Sequence, residues 1–285
     1  MLDDAYLQRG LDALCRAHAS DYFADGHRGG AIVSAYFFCR EEAVEPEAVE
    51  TIRQLIDENW TPTPLCAPFA DEAPLSDGVQ QIAARIEHSL DHLRQAGHNV
   101  ILPTLALKAF AQRPDLLTET RISGLCTMID AFTRMDEVPL QPAPDVPSFA
   151  DAAQASAFTL GELRACMQAF DGRGQGWSGH LLTYARALLD LRTLGHDALA
   201  ERAEHGFALY VDRIRKGPLE TDIPRPEHAR RPVHPHRAIY WHQRRQHAVS
   251  IGHLFKYPYG FYGLMRHVPD GPLSQACWDE AYRIF

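Results

Sequence analysis

The sequence predicts an all-α protein with a single domain, and three observations indicate this fold class. Apolar residues recur at the 3.6-residue spacing of amphipathic helices along most of the 285 residues. No segment alternates apolar and polar residues for long, as a half-buried strand would. The dipeptide Gly-His marks four similar stretches, whose histidines are 71, 82 and 73 residues apart. We therefore expect four internal repeats of three helices each, in a compact or toroid-like helical domain.

The repeats are expected at about residues 1–61, 75–136, 148–216 and 234–285 of one domain that spans 1–285. In each unit one amphipathic helix precedes the Gly-His, an apolar helix follows it, and a third helix closes the unit. The predicted helices lie at 3–24, 28–41 and 46–60, at 77–96, 99–112 and 114–134, at 149–170, 180–194 and 197–215, and finally at 272–285. Proline-rich segments separate the units, because proline prevents a helix from continuing.

Proline and aspartate indicate where the closing helices begin. Pro46, Pro114 and Pro272 suit the first turn of a helix, where the missing backbone N–H would have no helical partner. Asp197 is expected to cap the closing helix of the third unit.

The Gly-His dipeptide itself predicts a helix boundary. Glycine is expected to end one helix in the left-handed conformation, and the histidine to lead into the next helix. Units two and four carry a proline five residues after the histidine, at Pro103 and Pro258, whereas units one and three do not. This pattern indicates that the chain is organised in two halves.

Charge and hydropathy exclude several partners. The chain has 28 basic and 37 acidic side chains, a formal net charge of −9, which disfavours nucleic acid or an anionic membrane as a partner. Seven basic residues between Pro224 and Lys256 could instead meet an anionic ligand or an acidic face of the same protein. The apolar runs are too short to span a bilayer, and the first ten residues do not resemble a secretory signal. We expect a cytoplasmic protein.

Histidine is over-represented, with 15 among 285 residues, and its acid–base and metal chemistry lies near neutral pH. If the repeats are related by a rotation, the Gly-His histidines lie at equivalent distances from one axis. These candidate catalytic residues are His27, His98, His180 and His253. We expect them to line a shared cavity as neutral acid–base or hydrogen-bonding groups. The alternative is that each histidine only fixes a helix corner.

A candidate metal site lies on the helix predicted at 77–96. His88 and His92 are four residues apart and would share one helix face, and Asp91 could orient or charge-balance an imidazole. Together with a Gly-His histidine they predict a non-haem iron or zinc site. The glutamate of an HExxH motif is missing, so this spacing is weakly specific.

The fourth unit is rich in histidine, aromatic and basic residues. Tyr240, Arg244 and His247 are expected on neighbouring turns of one helix, and Tyr257 follows the Gly-His. Rings combined with histidine and arginine suit a flat phenolic or carboxylated molecule. We expect these four residues, with Arg244 or Arg245 attracting any anionic group, to bind a small aromatic or anionic substrate. The alternative is that the rings pack the core and the arginines face solvent.

Several enzyme classes lack their motifs in this sequence. There is no GxGxxG after a strand, and no P-loop, GxSxG, HExxH or DDxxD motif. These absences argue against a Rossmann enzyme, a P-loop protein, an α/β-hydrolase and a prenyl-diphosphate cyclase.

Residues 179–211, GHLLTYARALLDLRTLGHDALAERAEHGFALYV, carry a histidine, an Ala-Leu pair, a Leu-Gly and a distant tyrosine. This order resembles the recurring unit of the questin oxidase-like family, whose members are histidine-rich, helical and without a recognisable flavin motif. The resemblance implies Baeyer-Villiger-type oxygenative cleavage of polyketide anthraquinones, with NADPH as a cofactor. It also implies that His180 matches the repeated family histidine and that His27, His98 and His253 are its counterparts. This chain is shorter than the usual family members.

The sequence thus favours an oxygenase that acts on an aromatic or polyketide-like molecule in a histidine-lined helical cavity. Two alternatives stay open. One is a His/Asp-ligated metalloenzyme with non-haem iron or zinc. The other is a non-enzymatic helical-repeat scaffold for a protein partner, which predicts an open curved surface and no enclosed pocket.

Overall fold

The computed structural model describes residues 1–173, 176–222, 224, 230, 234–244 and 252–285. These residues form twelve α-helices and no sheet, so the predicted all-α class is confirmed. The helices are α1 (Asp4–Arg16), α2 (Tyr22–Glu41), α3 (Pro46–Asn59), α4 (Gly78–His88), α5 (His98–Gln112), α6 (Glu119–Ala131), α7 (Ala152–Ala169), α8 (Gly176–Thr193), α9 (Asp197–Arg215), α10 (Ala238–Arg244), α11 (His253–Met265) and α12 (Pro272–Glu280). None of those helices has both the length and the apolar character needed to cross a membrane.

The closing helices follow their predicted start signals only in part. Helices α3 and α12 begin at Pro46 and Pro272, as predicted. Pro114 instead opens a short 3₁₀ turn, and α6 begins later, at Glu119. The predicted cap in the third unit is wrong, because Asp197 is the first residue of α9 and makes no capping hydrogen bond.

Two of the four Gly-His dipeptides lie inside helices. His27 is in the second turn of α2, which already begins at Tyr22. His180 is in the second turn of α8, which begins at Gly176. The helix starts predicted at 28 and 180 are therefore wrong. In both places the preceding glycine is an ordinary helical residue.

The other two dipeptides do mark helix starts. Gly97 and Gly252 are left-handed N-cap residues, with φ of 88° and 86°, and His98 and His253 are the first residues of α5 and α11. The two histidines that begin a helix are thus the two that are followed by a proline five residues later.

Helices α2, α5, α8 and α11 form the centre of the fold. Helix α2 packs against α5, α5 against α8, α8 against α11, and α11 against α2, so these contacts form a closed circuit. Around them, α1 packs on α2, α7 and α9 pack on α8, and α10 packs on α3. The central helices are apolar on nearly all sides; α5, for example, is buried without interruption from His98 to Leu107. The rotational repeat and the toroid-like shape stay predictions.

Candidate active site

The four Gly-His histidines meet in the centre of the four-helix core. The ring centroids of His27 and His98 are 4.4 Å apart, and those of His98 and His180 are 4.6 Å apart. His253 lies 4.8 Å from His180 and 5.4 Å from His27, again between ring centroids. His27 and His98 are almost fully buried. The structure therefore brings together all four residues that the sequence placed around a common centre, and we call them the Gly-His cluster.

Backbone carbonyls fix the ring orientation of three members. Nδ1 of His27 and Nδ1 of His180 each lie 2.6 Å from the carbonyl oxygen four residues earlier in their own helix. Nδ1 of His98 contacts the Gln95 carbonyl in the same way. A carbonyl oxygen only accepts hydrogen bonds, so Nδ1 carries the hydrogen in each ring. In the neutral ring Nε2 then keeps a lone pair.

The same three histidines have the spacing of metal ligands. One ring nitrogen from each of His27, His98 and His180 lies within 4.8 Å of the other two. Nε2 of His27 is buried, and no described residue forms a hydrogen bond with it. Neighbouring nitrogen atoms of this kind can share one ion, because metal–imidazole bonds are about 2.0–2.1 Å long. These three imidazoles fit a transition-metal ion.

Burial keeps His27 and His98 neutral. The loss of hydration lowers the pKa of His27 and of His98 well below the usual 6.5, and the neighbouring Lys256 and histidines lower both further. His98 also begins α5, where the partial positive charge of the helix end disfavours a protonated ring. Neutral imidazole is the form that binds a metal, so the site is prepared for one without the loss of a proton.

Lys256 is a functional candidate that the sequence reasoning missed. It lies on α11, one turn after His253, is fully buried, and places Nζ 3.5 Å from Nε2 of His98. Burial lowers the pKa of Lys256 to about 7. The available signal was a lone lysine in the apolar run HLFKYPYGFY. Its inclusion among the seven basic residues of one segment concealed that signal.

A cleft of about 340 Å³ leads from the surface to the cluster. His98 and His180 line its inner end, and Phe23, Met135 and Trp177 supply much of its wall. The Phe23 ring also packs on His98, with centroids 5.1 Å apart. A small molecule in this cleft would contact two members of the cluster directly.

Trp177 is held in the cleft wall by a carboxylate. Its Nε1 donates to Asp222 at 3.0 Å, and Asp222 also pairs with Arg213 at 3.3 Å. The Arg213 guanidinium lies 4.2 Å from the centroid of the Trp177 ring. The charge of Asp222 is thereby balanced, and the wall offers an aromatic surface rather than an anionic one.

The metal site predicted from residues 88–92 is not formed. Helix α4 ends at His88, where Arg94 binds the carbonyl of the C-cap residue, so His88 and His92 do not share a helix face. Asp91 pairs with Arg94 at 2.8 Å and with Arg134, and the His92 ring lies 3.0 Å from the same carboxylate. Among the described residues, the one group with ligand spacing is that of the three buried histidines.

Tyr257 is the predicted substrate-binding residue that the structure places at the cluster. Its ring stacks on His253, with centroids 4.6 Å apart and planes inclined by 15°. Gly179 makes room for it, because a Cβ there would lie 2.0 Å from the Tyr257 ring.

The other predicted substrate-binding residues lie elsewhere. Tyr240 is buried against Trp241 and Phe285, and the Arg244 guanidinium lies over the Tyr240 ring. Neither Tyr240 nor Arg244 lines the cleft, because α10 packs its aromatic face into the core beside α3. His247 and Arg245 lie outside the described residues.

No family model, curated protein or solved structure matches this chain. The fold and the site together define an all-α protein with a buried histidine cluster at the end of an aromatic-lined cleft. The resemblance of residues 179–211 to the questin oxidase-like family stays a prediction.

Proposed function

We propose that the protein is a metal-dependent oxygenase that acts on a small aromatic molecule bound in the cleft. The observation that carries this proposal is the meeting of His27, His98 and His180 at the inner end of the cleft. Each of these rings is oriented by a carbonyl that holds Nδ1–H. Such a contact is the usual support of a metal-binding histidine, because it fixes the ring and directs Nε2 to the metal. A bound metal would replace the 3.5 Å contact of Nε2 of His98 with Nζ of Lys256.

Non-haem iron is the metal that we propose for this site. Imidazole ligands suit zinc, copper, iron and nickel, but zinc has no redox chemistry. Bound iron would supply the activation of dioxygen that oxygenation requires. His253, next to both His27 and His180, is the candidate fourth ligand. NADPH rests on the family resemblance alone and is not part of the proposal.

The cleft supports an aromatic substrate. Phe23 and Trp177 offer ring surfaces for stacking, and Met135 adds a flexible apolar contact. A flat molecule held by these side chains would lie against His98 and His180, next to the proposed metal. Since Asp222 is already paired with Arg213, the wall carries no unbalanced charge that would repel a phenolate.

The centre of the fold gives little support to a scaffold function. Nε2 of His27 is buried without a hydrogen-bond partner in the described part of the chain, and such a nitrogen reduces folding stability. A protein-binding surface does not require a destabilising group at the centre of the fold. A metal ion would remove this loss of stability, because it would bind the lone pair of Nε2. Burial of the cluster therefore favours a reactive centre over a scaffold.

The test is the metal content of the tag-free protein, purified under anaerobic conditions after incubation with Fe²⁺. We expect about one iron ion per chain, with loss of the ion in His98→Ala and in His180→Ala. The matched control is His92→Ala, which should keep the ion because His92 is outside the cluster. Circular dichroism would verify that all variants fold.

Three other outcomes of the metal analysis would overturn or change the proposal. Wild-type protein that binds no metal would overturn the proposal. Loss of metal in His92→Ala, but not in the cluster variants, would show that the metal binds at residues 88–92 instead. Selective retention of zinc in place of iron would keep the metal site and remove the oxygenase function. Dioxygen uptake by the iron-loaded protein with simple phenols would then test the substrate class.

A further inference from the structure

The four central helices enclose a second, much smaller cavity about one to two turns beyond the histidines. Its volume is about 10 Å³, which is the space that one water molecule requires. Every central helix contributes a polar group to its lining. These residues are Ser34 of α2, Thr104 of α5, Thr183 and Asp190 of α8, and Lys256 and Tyr259 of α11.

Two hydroxyl groups of this lining have no hydrogen-bond partner among the residues that the structure describes. Ser34 and Thr104 are 0% and 1% exposed. No described residue forms a hydrogen bond with Oγ of Ser34 or with Oγ1 of Thr104. Buried hydroxyls in native proteins are nearly always paired with protein or with ordered water. Their placement on two facing helices indicates a polar ligand between them.

One side of the cavity belongs to a network of buried and partly buried charges. The Asp190 carboxylate accepts from Lys108 at 2.9 Å and from the Tyr259 hydroxyl, and it pairs with Arg186 at 3.0 Å. Lys108 also pairs with Glu41 at 2.5 Å. Each central helix therefore supplies at least one member, and we call these five residues the charged layer.

Lys256 also lines the cavity, and it connects the cavity to the Gly-His cluster. Nζ of Lys256 lies 3.5 Å from Nε2 of His98. In the described part of the chain this is the one hydrogen-bonding contact of the amine. Asp190 and Lys256 thus line the same water-sized space, with the two unpartnered hydroxyls beside them.

We propose that this cavity binds one water molecule, which joins the charged layer to the Lys256 amine beside the histidine cluster. A water molecule donates two hydrogen bonds and accepts two, so it can serve both hydroxyls and still reach the Asp190 and Lys256 side. Ser34, Thr104 and Asp190 then act as positioning residues for Lys256. That role in the reactive site rests on the proposed function, whereas the bound water does not.

Thermal unfolding of matched variants tests the water site. Ser34→Ala and Thr104→Val remove hydroxyls that we infer to be paired with water, so each should lower the midpoint by about 2 to 4 °C. Ser156→Ala is the control, because Ser156 is also fully buried and its hydroxyl bonds to no described residue, but it does not line this cavity. Its midpoint should stay unchanged or rise. A rise in Ser34→Ala and Thr104→Val as well would show an empty cavity and overturn the inference.

A separate measurement tests whether the bound water affects the histidine cluster. Co²⁺ bound to the cluster serves as the probe, because its visible absorption reports on the ligands and their surroundings. Ser34→Ala and Thr104→Val should shift this spectrum, while Ser156→Ala should match wild type. Unchanged spectra in all three variants would overturn the positioning role and leave the melting result intact. Failure of wild-type protein to bind Co²⁺ or Fe²⁺ would instead overturn the proposed function.

Discussion

The backbone conformations of two residues that precede His98 help to form the site. Gln95 and Ala96 have φ of 39° and 58°, and they are the two non-glycine residues with positive φ in the described part of the chain. A left-handed residue with a Cβ costs about 1–2 kcal/mol. The Gln95 N–H donates to the Thr133 carbonyl at 3.2 Å, which helps to hold this turn. In this turn the Gln95 carbonyl accepts a hydrogen bond from Nδ1–H of His98.

Replacement of Ala96 by glycine should raise stability but weaken metal binding at the site. We expect Ala96→Gly to raise the free energy of unfolding by about 0.5–1 kcal/mol, because glycine adopts this conformation at little steric cost. The same freedom should weaken Co²⁺ binding, since the carbonyl that orients His98 is held less firmly. Urea unfolding and Co²⁺ titration measure the two effects. Ala83→Gly within α4 is the control, with lower stability and unchanged Co²⁺ affinity.

At the scale of helices, the sequence predicted which segments are helical better than where they begin. The Gly-His dipeptide indicated a helix start in all four units, and this was correct for Gly97 and Gly252, which need a left-handed φ. It was wrong for Gly26 and Gly179, where glycine allows a close approach of another helix. A Cβ on Gly179 would lie 2.0 Å from the Tyr257 ring. Both uses need only a missing side chain, so the local sequence does not distinguish them.

The charged layer joins the four central helices away from the histidines. Burial by itself would raise the pKa of Asp190, but Arg186 and Lys108 lower it more, and the pKa lies below the ordinary 3.8. The contribution of this carboxylate to stability is therefore fully present above about pH 4 and is lost as the pH falls through its folded-state pKa. Near neutral pH the layer is balanced, with two acids and two bases among Glu41, Lys108, Arg186 and Asp190.

Removal of one charge from this layer should strongly destabilise the helix core. Asp190→Asn leaves Lys108 and Arg186 with the partly buried Glu41 as their one acidic partner in this layer, and we expect the free energy of unfolding to fall by about 3–5 kcal/mol. Chemical denaturation measures this loss. Glu87→Gln, which breaks an exposed pair with Arg202, is the control and should change stability little. Equal effects in the two variants would show that the layer is not a major source of stability.

For the molecule as a whole, the repeat predicted more of the site than any local motif did. Four histidines at similar intervals indicated a common centre, and the structure places them there. The spacing of His88 and His92 suggested a metal site on a helix that ends before the second histidine. Lys256 and the aromatic wall of the cleft were not predicted, because both depend on how distant helices pack. A regular repeat constrains such packing, whereas a pair of residues four positions apart does not.

Acid should destabilise the metal-free protein through its buried cluster. His27 and His98 have pKa values well below 6.5 when folded, whereas both titrate near 6.5 in the unfolded chain. Below about pH 6.5 the unfolded chain binds protons that the folded protein excludes, so the free energy of unfolding falls as the pH decreases. A metal ion bound to the neutral imidazoles should add stability to the folded protein, so that acid unfolding requires a lower pH.

Lys256 adds a second effect of the same sign at higher pH. Its pKa is about 7 in the folded protein and 10.5 in its ordinary state. Between these values the unfolded chain binds more protons, so stability should rise with pH by at most about 1.4 kcal/mol per pH unit. Urea midpoints of metal-free protein at about pH 5.5, 7 and 8.5 measure both ranges. Lys256→Met should abolish the rise above pH 7 and keep the fall below 6.5. A midpoint that stays constant across the whole range in wild type would show that neither the histidines nor the lysine are buried as described.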